Sequence, residues 1–164
     1  MMKAVFLDRD GVINNNEGRY YITKPGDLLL NEGIIDALKA FLNGHFQLII
    51  ISNQSGISKN LYSKEDCDKV HERLINILSG HGIPIKEIYY CPHHPEIENC
   101  LCRKPESLLF EKAIARFNID TDQSWMIGDS ERDIIAAEKA GLKSIFVKSN
   151  EDIRRYIERI IKKD

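Results

Sequence analysis

A chain of 164 residues, 43% hydrophobic and 29% charged, has the size and composition of one globular domain with a buried core. Its formal net charge of −2, with acidic and basic residues well mixed, gives no electrostatic basis for binding nucleic acid or an acidic membrane. No apolar run approaches the roughly 18 residues of a membrane span, and too few apolar residues follow Met1-Met2-Lys3 for a signal-peptide core, so a cytoplasmic location is expected.

In chain order, short apolar runs alternate with helical patterns. Ala4-Val5-Phe6-Leu7 predicts the first strand. Ile34, Ile35, Leu38, Phe41 and Leu42 recur at helical spacing, and residues 48–51 predict a second strand. Val70, Leu74, Ile77 and Leu78 mark the next helix, and residues 88–90 the next strand. Phe110, Ile114 and Phe117 mark a third helix, and residues 125–127 a fourth strand. Ile134, Ile135 and the stretch Ala137 to Ala140 mark a fourth helix, followed by an apolar run at 145–147. Ile153, Ile157 and Ile160 predict a last helix, with Arg159 and Lys162-Lys163 as its solvated end. Such alternation implies an α/β fold: a doubly wound parallel sheet with helices on both faces, here one domain over residues 1–164.

In sheets of this type ligands bind beyond the carboxyl ends of the strands. Asp8 and Asp10 stand there, one residue apart and therefore on one side of the chain. Ser52 ends the second strand and Asp129 the fourth, while Arg103-Lys104 lies in the long loop Cys91–Pro105. A second long loop, Asn14–Asn31, is expected to help shape the site. Carboxylates, a hydroxyl and cations gathered at strand ends suit phosphoryl transfer with a divalent metal. Asp8 is the candidate nucleophile, and Asp10 the acid that protonates the leaving oxygen and then the base that activates water. Asp8 and Asp129 can share one Mg²⁺, a hard ion that prefers carboxylates, water and phosphate. Lys104 would neutralise the transferring group, and Ser52 would donate a hydrogen bond to it.

Each part also has a plain structural role. Asp8-Arg9-Asp10-Gly11 can be a turn, Asp129 a helix N-cap, Ser52 a turn cap and Lys104 a surface lysine. Their joint placement at one end of one sheet is far more specific than any member. Asp133 is open between a group behind the metal and an exposed helix face. No Gly-x-Gly-x-x-Gly or Walker loop is present.

Cys91-Pro92-His93-His94-Pro95 and Cys100-Leu101-Cys102 offer paired Cys-x-His and Cys-x-Cys ligands for a closed, tetrahedral Zn²⁺ site. Cys91, His93, Cys100 and Cys102 are the expected ligands, with His94 an alternative to His93. The competing expectation is free thiols and exposed histidines. Cys67, in a helical pattern, reads as a semi-buried small side chain.

These segments resemble the four motifs of the haloacid dehalogenase superfamily: Asp8-x-Asp10-Gly11-Val12, Ser52, Lys104 and Gly128-Asp129-x-x-x-Asp133. The resemblance implies that fold without a cap domain. It also implies a Mg²⁺ site made by Asp8, the main-chain carbonyl of Asp10, and Asp129. Within the superfamily, the runs Asn53–Ile57, Tyr89–Pro95 and Cys100–Pro105 are similar to phosphatases of D-glycero-D-manno-heptose 1,7-bisphosphate and their histidinol-phosphatase relatives, which share the Zn²⁺ loop. That likeness implies a monomeric phosphomonoesterase for a small sugar phosphate, acting at the 7-phosphate, with Asn53, Arg103 and Lys104 binding substrate and a place in lipopolysaccharide or S-layer heptose synthesis. Histidinol phosphate is the runner-up substrate; its amine would favour a carboxylate near the mouth, where only Glu17 offers itself, whereas a remote phosphate would favour Arg103 or, less directly, Lys59. A phospho-accepting receiver-like module is the alternative of another class, but Ser52 stands where its phosphorylated Asp would be.

Overall fold

The computed structural model describes residues 1–162; Lys163, placed above at a solvated helix end, lies outside the described residues. Five strands form one sheet: β1 (Lys3–Leu7), β2 (Phe46–Asn53), β3 (Glu87–Cys91), β4 (Trp125–Gly128) and β5 (Lys143–Phe146). Every pairing is parallel, and the spatial order is β3-β2-β1-β4-β5. Parallel neighbours need crossovers, supplied by α1 (Ile34–Asn43), α2 (Lys64–Gly80), α3 (Leu108–Phe117) and α4 (Glu131–Lys139), with α5 (Ile157–Ile161) closing the chain.

The three central strands β1, β2 and β4 are buried on both faces, which explains their continuous apolar runs, while the edge strands β3 and β5 are only partly covered. In β1, Val5 and Leu7 face one core with Leu48, Ile50, Ile127 and Ile145. That core is covered by Leu38 and Phe41 of α1, Val70, Leu74 and Leu78 of α2, and Ile160 of α5. Ala4 and Phe6 face the other, with Ile49, Ile51 and Met126, under Phe110 and Ala113 of α3 and Ala136 and Ala137 of α4. The period-two alternation along β1 thus separates two cores. Phe6 and Phe110 rings lie 5.4 Å apart.

The chain winds outward from β1 through β2 to β3, then returns across β1 to β4 and β5. Strand order therefore reverses between β1 and β4, and a crevice opens beyond their carboxyl ends. Asp8 follows β1, Asp129 follows β4, and Ser52 and Asn53 end β2. The loops that follow β1 and β2 run into α1 and α2 with only a short 3₁₀ turn, Pro25–Asp27, between them. The predicted last helix is instead a 3₁₀ turn over Ile153–Tyr156 that continues into α5. Arg159 packs over the Trp125 ring and Lys162 pairs with Glu158 at 3.1 Å. Among the described residues no helix is long and apolar enough to cross a membrane.

Candidate active site

The floor of the crevice is an ion cluster. Lys104 Nζ lies 2.7 Å from Asp8 Oδ1 and 2.6 Å from Asp133 Oδ1, and donates to the Ile51 carbonyl at 2.8 Å. Burial alone would lower the Lys104 ammonium, but Asp133 and Asp8 outweigh it and hold its pKa above the ordinary value. Burial, together with the neighbouring Asp133 and Asp129 carboxylates, pushes Asp8 up to about 8 against the downward pull of Lys104. Asp129 is also raised by burial, with Asp133 repelling it, against the hydrogen bond it accepts from Ser149. Asp8, Asp129 and Asp133 bring carboxylate oxygens within 4.8 Å of one another. Three crowded carboxylates facing one ammonium form a site that a divalent cation relieves. The donor set, all hard oxygen, fits Mg²⁺.

Two glycines permit this crowding. Gly11 has φ +88°, and a Cβ there would overlap the Asp129 carboxylate. A Cβ on Gly128 would overlap Asp133. Asp129 is not the helix N-cap: Ser130 is, in a reciprocal capping box with Asp133. Asp133 is therefore not on an exposed face. It is 2% exposed, and its carboxylate serves both the cap and Lys104.

Asp10 sits to one side, held by five hydrogen bonds from three side chains. Arg9 donates to both carboxylate oxygens, at 2.9 Å to Oδ2 and 3.0 Å to Oδ1. Asn14 donates to Oδ1 and Gln54 to Oδ2, each at 3.0 Å. Gln54 in turn donates to Ser52 Oγ at 2.8 Å and accepts from the Tyr62 hydroxyl at 2.6 Å. Sequence reasoning missed Arg9, Asn14 and Gln54. Arg9 lay inside the Asp-x-Asp motif as its variable position, and nothing in its spacing announces a fully buried arginine.

Of the expected substrate contacts, Ser52, Asn53, Arg103 and Lys104 all line a cavity of about 400 Å³ with Asp8, Asp10, Asp129 and Asp133. That volume suits a small phosphorylated molecule. Asn53 is occupied with the loop backbone: it accepts from Lys104 N–H and donates to Lys104 O, both at 3.1 Å. Arg103 donates to the His93 carbonyl at 3.3 Å, which ties it to the Cys/His loop. Arg19, Tyr20, Tyr21 and Arg132 also line the cavity and were not anticipated. Glu17 and Lys59 are exposed and do not line it.

The Cys/His loop closes on itself as its spacing suggests. Cys91, His93, Cys100 and Cys102 bring their ligand atoms within 4.8 Å of one another. His93 Nδ1 is 3.4 Å from Cys91 Sγ and 3.2 Å from Cys102 Sγ. His94 turns away, its Nδ1 accepting from the Glu96 N–H at 3.3 Å. Burial raises the Cys91 thiol; Cys100 is drawn down to about 7 despite burial because the Arg103 and Cys102 N–H groups favour its thiolate. Three sulfurs and an imidazole suit Zn²⁺. Cys67 is fully buried on α2 and not part of this group.

A doubly wound sheet carrying an Asp-x-Asp turn, a buried lysine and a late carboxylate pair at its switch point defines a phosphatase of the haloacid dehalogenase class. Residues 101–162 match the family model described as HAD-hydrolase-like. The chain is 39% identical over 148 residues to the D-glycero-beta-D-manno-heptose-1,7-bisphosphate 7-phosphatase of Haemophilus ducreyi, covering 87% of this chain and 80% of that one. It is 35% identical over 152 residues to the D-glycero-alpha-D-manno-heptose-1,7-bisphosphate 7-phosphatase of Photorhabdus laumondii, covering 89% and 82%. The crystal structure of D,D-heptose 1,7-bisphosphate phosphatase from B. bronchiseptica, complexed with magnesium and phosphate, superposes with a TM-score of 0.83 at 27% identity, covering 96% and 87%. The chain belongs to the heptose-1,7-bisphosphate 7-phosphatase family of HAD phosphatases.

Proposed function

We propose that this protein removes the 7-phosphate of D-glycero-D-manno-heptose 1,7-bisphosphate through an aspartyl-phosphate on Asp8. The observation that carries the reading is the Asp8–Lys104–Asp133 cluster with Asp129 beside it, at the switch point of the sheet. An Asp8 carboxylate oxygen attacks phosphorus as the sugar oxygen leaves with a proton from Asp10. Asp10, now ionised, takes a proton from water as that water attacks phosphorus. The acyl phosphate opens, inorganic phosphate departs, and Asp8 is regenerated. Lys104 stabilises charge on the phosphoryl oxygens, and the Ser52 hydroxyl donates to them. Asp8, Asp129 and the main-chain carbonyl of Asp10 would hold Mg²⁺, which when bound neutralises charge on the phosphoryl group. Cys91, His93, Cys100 and Cys102 would hold a structural Zn²⁺ that fixes the loop carrying Arg103 and Lys104.

Relatives named for either anomer match the chain at similar identity, so the substrate panel carries both anomers. The protein is taken to act as a one-domain monomer in the cytoplasm, upstream of the glycosyl transfers that build lipopolysaccharide or S-layer glycans. A panel of purified phosphates tests the substrate. The expected kcat/KM for heptose 1,7-bisphosphate is at least about tenfold above that for histidinol phosphate. A panel in which histidinol phosphate is the better substrate overturns the assignment.

A further inference from the structure

Arg9 is a buried arginine with one carboxylate partner and one acceptor that is not a carboxylate. Its side chain is fully buried between Asp10 and α2. Nε and Nη2 face Asp10, while Nη1 lies 2.9 Å from His71 Nε2, from a residue 62 positions away. His71 is itself 6% exposed, seated between Cys67, one helical turn back, and the Tyr90 ring 5.1 Å away. Burial, reinforced by the Arg9 charge, lowers its pKa to about 4, so near neutral pH the imidazole is uncharged and Nε2 is free to accept. The buried guanidinium is thus pinned at both ends.

We propose that His71 is a positioning residue for the acid/base chemistry of Asp10, acting through Arg9. A guanidinium fork is planar and rigid, so fixing Nη1 fixes the plane in which Nε and Nη2 meet the Asp10 carboxylate. Without the His71 acceptor, Nη1 loses its hydrogen-bond partner, with the weakly accepting Cys67 thiol as the polar group left beside the guanidinium, and Arg9 must tilt to find a better one. The Asp10 carboxylate tilts with it. Proton transfer depends steeply on that placement; a shift of about 1 Å is enough to cost on the order of 100-fold.

This inference rests on the role given above to Asp10, and leaving-group dependence separates the two. A sugar or alkyl phosphate needs its departing oxygen protonated; p-nitrophenyl phosphate, whose leaving group is a stable anion, needs that far less. With wild-type protein and Mg²⁺, kcat/KM is measured for glycerol 1-phosphate and for p-nitrophenyl phosphate. His71→Leu is expected to lower the first at least about tenfold more than the second. His71→Gln, whose carbonyl can reach Arg9, is expected to restore most of the ratio. If His71→Leu fails to fold, His71→Asn, polar but too short for Arg9, takes its place. Folded variants in which both esters fall equally, or neither falls, overturn the proposal. Asp10→Asn run beside them must itself show the leaving-group split. If it does not, the role of Asp10 fails; if it does and the His71 variants do not, only the positioning role fails.

Discussion

Asp8 and Asp10 are one residue apart yet live in different electrostatic surroundings. Asp8 faces a lysine and two further carboxylates; Asp10 faces a guanidinium and two amides. That division fits the roles proposed for them, Asp8 as nucleophile and Asp10 as proton carrier. Asp8→Asn should abolish phosphate release, because an amide is a poor nucleophile and a weak Mg²⁺ ligand. Asp10→Asn should retain binding of inorganic phosphate and lower kcat by about 10²–10⁴-fold. Steady-state release and phosphate titration check both; near-normal turnover by Asp8→Asn rules out the aspartyl-phosphate route. His71 carries a separate, pH-dependent consequence. Its pKa is lowered from 6.5 to about 4 by burial and by Arg9. The unfolded chain therefore takes up the proton first, so the stabilisation is complete above pH 6.5 and is lost as pH falls from there to about 4. The shift corresponds to about 3 kcal/mol. Urea unfolding at pH 7 and pH 4 should show wild type losing more stability than His71→Gln by roughly that amount; an equal loss contradicts the buried, neutral imidazole.

At the scale of elements, the strands were the most readable part of the sequence, because a parallel sheet covered on both faces writes itself as short unbroken apolar runs. Four of the five runs fall within strands, the fifth overlaps only the end of β5, and each helix core residue named from periodicity in α1 to α3 falls within its helix. The ends of β1, β2 and β4 were readable for the same reason, and with them Asp8, Ser52 and Asp129. What the sequence does not encode locally is which distant side chains meet. Arg9 with His71, Lys104 with Asp133, and Gln54 with Tyr62 are joined only once the crossovers are in place. The choice between His93 and His94 was likewise a matter of loop closure, and the fold turns His93 inward. That loop supplies Arg103 and Lys104 yet has little apolar material between Cys91 and Pro105 to hold it. A metal clamp there makes a measurable claim. Freshly purified, chelator-free protein should carry about one Zn²⁺ per chain. Cys102→Ser should lose it and lower activity by loosening the Arg103–Lys104 segment, without touching the Asp8–Asp129 pair. Elemental analysis and phosphate release on the same samples check this; zinc-free protein of full activity excludes the clamp.

For the molecule as a whole, the distribution of cations around the cavity distinguishes a bisphosphate from a cationic monoester. Lys104 sits at the floor, committed to Asp8 and Asp133. The second phosphate of a bisphosphate must find its charge elsewhere. Arg19, Arg103 and Arg132 line the cavity beyond the floor. Arg19 is paired with Asp27 at 2.6 Å, which leaves it less available. Arg103 is half-buried and braced only by the neutral His93 carbonyl, and Arg132 rises from the first turn of α4, with neither guanidinium in an ion pair among the described residues. A guanidinium offers a phosphate two parallel N–H donors, so under the proposed function these two arginines would seat the remote phosphate. The same arginines repel the ammonium of histidinol phosphate. Arg103→Ala should therefore lower kcat/KM for heptose 1,7-bisphosphate by at least about tenfold, or 1.4 kcal/mol of transition-state binding, while changing that for a small neutral-tailed ester such as glycerol 1-phosphate much less. Arg132→Ala should act in the same direction. The double variant should bring the bisphosphate and histidinol phosphate close together, since the charge that separates them has gone. If both single variants slow the small ester as much as the bisphosphate, the arginines serve the reacting phosphoryl group, and the remote phosphate is held elsewhere.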